Sequence, residues 1–366
     1  MSAWPQHALA AASHPDPYPY YRDLARRGWC YDAERRMWLA ASSDAAQAVL
    51  SSPACRVRPP EAPVPPALAD SGLGEVFGRW LRMCEAPAHP SLRAAVQASL
   101  TGLPLNGVRD RAFSLAGRYQ AGRPVDGAAL DGLTAYLPVA TLAALLGWPG
   151  GQLQALAARI GMLARALAAD AGGDALRNGE AACADVLDGL RALPAPDGSW
   201  LRQWRRQFAE LDEAALQANL LGVLFQSLDA TAGLLSAGIA WRCQERWDWR
   251  DDAQWRRRLQ RDPVLHNTRR FVEADVVLAG QELRAGDQVL VLLAAAAQDP
   301  AGPGEAMDFG CGRHACPGEA LALAIARGAL DALEESRPDW RSLGGGITFR
   351  SLPNVRVRRF GAGERT

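Results

Sequence analysis

A cysteine flanked by glycines is the feature of this chain that points most directly to chemistry. The stretch Phe309–Gly318 reads Phe-Gly-Cys-Gly-Arg-His-Ala-Cys-Pro-Gly, and an apolar run, Glu319–Leu333, follows it. Gly310 and Gly312 permit a tight bend, and a Pro-Gly pair leads the chain from Cys316 into a predicted helix. At a helix N-terminus, the dipole and the free N–H groups stabilise a thiolate, which is the form that ligates iron or attacks an electrophile. Cys316 is therefore the first candidate metal ligand.

The spacing of these residues resembles the haem-binding signature of the cytochrome P-450 family, Phe-Gly-x-Gly-x-His-x-Cys-x-Gly, with every fixed position present. The resemblance implies that Cys316 is the axial thiolate ligand of a haem b iron. It also implies that His314 hydrogen-bonds a haem propionate, that Phe309 packs beside the ligand and that Gly310 belongs to the cofactor-binding loop. A glycine-rich turn with a buried cysteine before a helix is the alternative interpretation.

Three further cationic or imidazole side chains are candidate contacts for the haem propionates. His89 and Arg93 lie four residues apart, which places them on one face of a helix. A His-x-x-x-Arg pair of this kind points at the propionates in the family, because carboxylates in an apolar pocket need cationic hydrogen-bond donors. A solvated helix face has the same spacing. Arg270 falls on the family's propionate-binding arginine, and Arg269 competes with it because neighbours alternate faces on a strand.

The longest predicted helix is Asp212–Trp241, with Asp212 as its N-cap and an almost continuous apolar body. It resembles the distal helix of the family, in which an acid and an alcohol deliver protons during dioxygen activation. Asp229 fills the acid position, but Ala230 stands where the alcohol is expected and the hydroxyl follows at Thr231. One residue is about 100° around a helix, so Thr231 replaces the missing alcohol only if the helix is distorted.

Asp229 and Thr231 are nevertheless the catalytic candidates that the resemblance implies. The usual Ala-Gly pair of the distal helix is Gln226-Ser227 here, and these polar groups need partners where they are buried. A core helix with a self-satisfied Asp and Thr is the alternative.

The family's Glu-x-x-Arg motif is absent from this chain. Arg257 and Gln260 occupy its Glu and Arg positions, and the short loop before Phe309 carries no arginine to complete the usual network. Removing one partner of a buried ion pair costs about 3–5 kcal/mol, whereas replacing the whole set can be neutral. We therefore expect Arg257 to turn outward or to pair with Glu305 or Asp308, and the haem-binding core to be held in another way.

The composition of the chain limits the class of protein to which it can belong. The 366 residues carry a formal net charge of zero, which gives no reason to expect a nucleic-acid partner. The seven cysteines form no CxxC pair and no zinc spacing, and a reducing cytoplasm fits them best. Met1–Ala12 has no signal-peptide pattern, and the most apolar helices carry Asp131 or Asp229, which argues against membrane spans.

The remaining periodicities predict shorter elements. Helices are expected over Pro15–Arg27, Ser43–Leu50 and Ser199–Leu211, and strands at Met37–Ser42, Val277–Leu278 and Gln288–Leu293.

We predict a mainly α protein with the cytochrome P-450 fold, one domain over residues 1–366 with a small β-sheet part enclosing a haem. The resemblance implies a monooxygenase that oxidises a small metabolite in specialised-metabolite biosynthesis, with electrons from a ferredoxin or flavoprotein. Two alternatives stay open. One is an atypical haem-thiolate enzyme that uses peroxide, forms bonds, or acts as an isomerase or dehydratase. The other is a non-catalytic scaffold or accessory protein.

Overall fold

Helices are the main elements of the protein. The computed structural model describes residues 4–302 and 307–361. Its helices are α1 (Tyr18–Arg27), α2 (Ser43–Ser51), α3 (Gly72–Gly78), α4 (His89–Thr101), α5 (Leu105–Gln120), α6 (Gly127–Leu146), α7 (Leu153–Ala166), α8 (Gly173–Ala192), α9 (Trp200–Gln207), α10 (Glu213–Gln244), α11 (Asp252–Arg261), α12 (Leu293–Ala296), α13 (Glu319–Glu335) and α14 (Trp340–Leu343). The strands are β1 (Trp29–Asp32), β2 (Met37–Ala40), β3 (Cys55–Arg56), β4 (Thr268–Val272), β5 (Val276–Leu278), β6 (Gln281–Leu283), β7 (Gln288–Val291), β8 (Thr348–Phe349) and β9 (Arg358–Arg359). The expectation of a mainly α protein with a small β part is confirmed.

The chain forms two compact units. The first unit is made of Met1–Glu61, Ser236–Cys316 and Trp340–Thr366, and the second of Ala62–Leu235 and Pro317–Asp339. A single domain over the whole chain stays a prediction.

A five-stranded sheet is the centre of the first unit. Its strand order is β1-β2-β7-β4-β3, in which β2 and β7 are parallel and the other neighbours antiparallel. Side chains alternate faces along β4, so Arg270 and Val272 are buried while Arg269 is exposed. Leu50 of α2 and Val289 of β7 share one apolar cluster, which joins the helix to the sheet.

The second unit is helical, with α5 packed on α6 and α13, and α7 packed on α8. Helices α5 and α13 approach so closely that a Cβ atom added at Gly328 would lie 2.2 Å from the carbonyl oxygen of Arg109. Beside this contact, the guanidinium of Arg109 pairs with the carboxylate of Asp331 at 2.6 Å. The glycine in α13 is therefore a requirement of backbone packing.

The longest helix, α10, begins where its capping residue predicts. The Asp212 carboxylate accepts a hydrogen bond from the N–H of Ala215, which satisfies one of the free donors of the first turn. By length and composition, α6 and α10 could each cross a membrane, but 61% and 67% of their most apolar windows are buried inside the protein. This burial is typical of core helices, as the acidic residues within them indicate.

The shorter predicted elements are confirmed with shifts at their ends. α1 and β2 lie within the predicted ranges, and α2 extends one residue further. The helix expected over Ser199–Leu211 is shorter and spans Trp200–Gln207. The Ser199 hydroxyl caps its N-terminus by accepting from the N–H of Arg202.

The close approach of α5 and α13 predicts the effect of substituting Gly328. We expect Gly328→Ala to lower the free energy of unfolding by about 1–3 kcal/mol, because the added methyl group would displace the α5 backbone. Gly117→Ala on the exposed face of α5 is the matched control, since an added Cβ there meets nothing within 4 Å. It should be neutral or stabilising by about 0.5–1 kcal/mol. Urea titration measures both values, and equal effects would contradict the packing argument.

Candidate functional site

Two backbone hydrogen bonds close the Cys316 loop within the first unit. The N–H of Cys316 donates to the carbonyl of Phe309 at 2.8 Å, and the N–H of Gly310 donates to the carbonyl of Met307 at 2.8 Å. Gly310 and Gly312 have φ values of 65° and 69°, in the left-handed region that favours glycine. The bend that the sequence predicts is confirmed, and it presents Cys316 with an exposed side chain.

Arg313 fastens this loop, and sequence reasoning missed it. Its Nη1 and Nη2 atoms donate to the carbonyls of Ser52 and Cys55, each at 2.7 Å. At the adjacent Gly312, an added Cβ would lie 2.7 Å from the carbonyl oxygen of Leu50. The loop is thus pressed against the end of α2 and the start of β3. Position 313 is a variable position of the signature, so no pattern in the sequence indicated its role.

The seven cysteines differ in accessibility, and all are free thiols. Burial raises the pKa of Cys55, and it raises the pKa of Cys183 to about 12. These thiols are held in the protonated form, which is a poor metal ligand. Cys316 has an exposed side chain. Helix α13 follows it in sequence as predicted, starting at Glu319 with Gly318 as the N-cap.

Arg270 and His314 also belong to the first unit. Arg270 is 5% exposed on β4, and its Nη1 donates to the hydroxyl of Thr268 at 3.0 Å and to the carbonyl of Arg269 at 2.9 Å. The exposed Arg269 lies on the other face of the strand, so burial favours Arg270 over its competitor. His314 is half-buried and ends the short turn that begins at Gly312.

His89 and Arg93 lie in the second unit, on the first turns of α4. His89 is 4% exposed and Arg93 is half-buried. Both are within one regular helix, which confirms the predicted secondary structure and places the two side chains on one face.

The distal-helix candidates lie on different sides of α10. Thr231 is 3% exposed, Asp229 is half-buried, and Ala230 is exposed together with Gln226. The α-helix is uninterrupted from Glu213 to Gln244, which places the side chains of Ala230 and Thr231 about 100° apart around its axis. The buried hydroxyl of Ser227 donates to the carbonyl of Leu224 at 2.8 Å and so finds a partner within its own helix.

Sequence comparison relates the chain to proteins with the same signature. It is 27% identical to a putative cytochrome P-450 of Mycobacterium tuberculosis over 90% of this chain and 85% of that protein. It is also 27% identical to the mycinamicin IV hydroxylase/epoxidase of Micromonospora griseorubida, over 73% of this chain and 74% of the relative. No family model matches the chain.

Comparison of structures gives the fold. CalO2 has a TM-score of 0.75 at 21% identity, covering 94% of both chains. Epothilone B-bound cytochrome P-450epoK has a TM-score of 0.77 at 18% identity, covering 95% of this chain and 98% of its own. The chain is similar to cytochromes P-450 in sequence and in fold. This similarity confirms the predicted fold and implies a haem with a cysteine axial ligand and an oxidoreductase activity of the monooxygenase class.

The chain departs from the cytochrome P-450 pattern at the Glu-x-x-Arg motif, as the sequence indicates. Arg257 turns outward with 63% of its side chain exposed, and its guanidinium lies 3.9 Å from the carboxylate of Asp251. The prediction that Arg257 turns outward is confirmed. Of the two acids suggested as partners, Asp308 instead accepts from the backbone N–H groups of Val264 and Leu265, and Glu305 lies outside the described residues.

The side chains of the site fit a haem by their chemistry. An exposed thiol on a closed loop suits an iron ligand, because thiolates bind iron strongly. His314 and the buried Arg270 in the first unit are donors of the kind that carboxylates require. His89 and Arg93, which belong to the second unit, are donors of the same chemical kind. Their roles toward the propionates are proposals.

The loop geometry predicts a large effect of Gly312→Ala. Alanine in the left-handed region costs about 1–2 kcal/mol, and here its Cβ would also press on the Leu50 carbonyl. Gly346→Ala is the matched control in the same unit, since Gly346 has a φ of 73° with nothing within 4 Å of an added Cβ. We expect the loss of unfolding free energy in urea to be larger for Gly312→Ala by about 1–3 kcal/mol. Equal losses would show that the contact with Leu50 is unimportant.

Proposed function

We propose that this protein is a haem-thiolate monooxygenase that oxidises a small metabolite in the biosynthesis of a specialised product. One observation carries the proposal. The exposed thiol of Cys316 stands on a loop that its own backbone closes, and the loop has every fixed position of the family signature. A structural cysteine would be expected inside the core, as Cys55 and Cys183 are.

Each candidate residue has a distinct proposed role. Cys316 ligates the iron, while Phe309 and Gly310 shape the loop around the sulfur. Arg270, His314, His89 and Arg93 hold the propionates by charge-assisted hydrogen bonds. When bound, the haem supplies the centre at which an oxidant is activated. The protein's contribution is to orient the cofactor, to hold the ligand as a thiolate and to move protons.

Proton movement is assigned to α10. Asp229 is half-buried and keeps the acid role that the resemblance implies. Thr231 remains the hydroxyl candidate that the resemblance implies. Its burial in a regular helix makes it the weaker of the two candidates, since a buried side chain has less access to a substrate or to water.

The substrate and partners are proposed by chemical class. The mycinamicin hydroxylase and the epothilone-bound structure are relatives whose names refer to small natural products. We propose a small-molecule substrate of that general kind, a ferredoxin or flavoprotein as electron donor, and a cytoplasmic location.

A second candidate function is atypical haem-thiolate chemistry that bypasses the usual activation of dioxygen. Ala230 favours it, because this exposed position has no hydroxyl and the neighbouring Thr231 is buried. Use of peroxide, bond formation, isomerisation and dehydration all make smaller demands on a distal alcohol.

The assignment of Cys316 is tested by the absorption of the reduced, carbon monoxide-treated protein. The wild type should give the strongly red-shifted Soret band of thiolate-ligated haem, and Cys316→Ser should lose it because a serine hydroxyl is a poor iron ligand at neutral pH. Cys311→Ser is the matched control in the same loop and should keep the band. Wild-type protein that binds no haem after reconstitution would favour a non-catalytic scaffold.

Turnover of distal-helix variants separates the two candidate functions. With a substrate found by the spin-state shift of the ferric haem, Asp229→Asn should lower oxygen-dependent turnover by about 10²–10⁴-fold, the usual contribution of a general acid. Thr231→Val should cost less, and Ala230→Thr should preserve or raise coupling of electrons to product. Activity with peroxide alone, unchanged in Asp229→Asn, would support the atypical chemistry instead.

A further inference from the structure

Two aspartates of the first unit connect the end of α11 to the Cys316 loop. We propose that Asp262 and Asp308 position this loop in place of the family's Glu-x-x-Arg network: Asp262 anchors the segment after α11, and Asp308 anchors the loop on that segment. The inference rests on the proposed role of Cys316 as the iron ligand. It makes both aspartates positioning residues, since neither is placed against the cofactor.

Asp262 is the centre of a cluster drawn from separate elements. Its carboxylate accepts from the Nη2 atom of Arg358, from the hydroxyl of Tyr18, and from the indole N–H of Trp241 at 2.9 Å. The Nε atom of Arg356 lies 3.8 Å away. Burial alone would raise the pKa of Asp262, but the charge of Arg358 and the hydrogen bond from Tyr18 lower it. The carboxylate is therefore held ionised between two arginines.

The two arginines are themselves fixed in place. Their side chains are only 3% and 5% exposed for Arg356 and Arg358. Arg356 also donates to the carbonyls of Ala12, His14 and Pro15 at 3.1, 2.7 and 2.9 Å, which offsets part of its desolvation. Asp262 is thus attached to groups with little freedom to move, and it can serve as an anchor.

The attachment passes from Asp262 to the loop through three residues. Pro263 follows Asp262 and restricts the backbone, and the N–H groups of Val264 and Leu265 both donate to one oxygen of Asp308. The carbonyl of Val264 in turn accepts from the N–H of Arg356 at 2.8 Å. The segment 263–265 is therefore held by Asp308 through its N–H groups and by Arg356 through the Val264 carbonyl.

Asp308 transmits this attachment to the cysteine. It directly precedes Phe309, whose carbonyl accepts the N–H of Cys316 at 2.8 Å. Its side chain is buried, and burial together with the negative charge of Asp262 raises its pKa to about 7 against the lowering effect of the N–H donors. An unbroken path of covalent and hydrogen bonds therefore runs from the arginine cluster to the sulfur-bearing residue.

Glutamate and arginine at positions 257 and 260 would be redundant beside this path. The outward turn of Arg257 agrees with that reading, because the helix that normally carries the network ends here at the Asp262 anchor. In relatives, the network that positions the loop lies on one face of this helix. Here its place is taken by Asp262 at the end of the helix and by the carboxyl group of Asp308 in the loop.

The test compares Asp308→Ala, Asp308→Asn and Asp262→Asn with Asp251→Ala. Asp308→Ala removes the acceptor of two buried N–H groups, whereas Asp308→Asn keeps an acceptor oxygen and should largely rescue the loop. Asp251→Ala is the matched control, because it removes the N-cap at the opposite end of α11, where the carboxylate accepts from the N–H of Ala253 at 2.8 Å. We expect it to lower the free energy of unfolding without altering the hydrogen bonds that link Asp262 and Asp308 to the Cys316 loop.

Two readouts follow the loop. Amide exchange of the peptide 307–316 in apoprotein and holoprotein reports local opening, and the thiolate Soret band of the ferrous-carbonyl form reports ligation. Asp308→Ala and Asp262→Asn should speed loop exchange and decay of the band by about tenfold or more relative to Asp251→Ala, as expected when buried donors lose their acceptor. Asp308→Asn should lie near the wild type.

The outcomes distinguish this inference from the proposed function. Wild-type loop exchange and band lifetime in both Asp308→Ala and Asp262→Asn would overturn the inference while leaving the haem ligand in place. A wild type without the thiolate band, whose loop exchange still rises in these variants, would overturn the proposed function and keep the anchoring of the loop. If Asp308→Ala does not fold, Asp262→Asn decides the matter, because it keeps the size of the side chain while removing the negative charge and one of the two acceptor oxygens that face Arg358, Tyr18 and Trp241.

Discussion

The backbone hydrogen bond from Cys316 to Phe309 is the constraint on which the site depends. A thiolate ligand has to be held at one position, yet its loop must leave the sulfur exposed, so side-chain packing cannot fix it. Backbone bonds and left-handed glycines fix it instead. The fork of Arg313 then secures the bend to the carbonyls of Ser52 and Cys55, which lie outside the loop. The sulfur is exposed, whereas the backbone of its loop is held by these hydrogen bonds.

Asp262 and Asp308 are carboxyl groups of the first unit that have different kinds of partner. A buried pair is stable only when both partners are present and their remaining hydrogen-bonding groups are satisfied. This chain keeps a carboxylate between two arginines at Asp262 and uses the neutral backbone as the partner of Asp308. Nearby, burial lowers the pKa of His266 to about 3, and the ring pairs with the hydroxyl of Tyr21 and the carbonyl of Pro263. Asp262, Asp308 and His266 therefore each have defined partners.

Helical geometry sets a separate constraint on chemistry at α10. A hydroxyl displaced by one residue points in a different direction, and a regular helix offers no way to turn it back. The exposure of Ala230 and the burial of Thr231 are two consequences of that one shift. Asp229 is half-buried and lies about 100° around the axis from Ala230, on the side away from Thr231. A change of one position in sequence thus moves the hydroxyl from an exposed to a buried face of the helix.

The sequence by itself determined the local parts of this protein. The spacing around Cys316 indicated a cytochrome P-450 fold and the glycines predicted the bend. Asp212 marked the start of the long helix, and the absent Glu-x-x-Arg residues indicated that Arg257 would turn outward. Each of these depends on neighbours in the chain or on a fixed pattern. The tertiary structure alone decided that Arg313 fastens the loop, that Arg270 is the buried member of its pair, and that Asp262 meets Arg358 and Tyr18. These contacts join residues up to hundreds of positions apart, and a sequence carries no local signal for a hydrogen bond whose two partners are brought together only by folding.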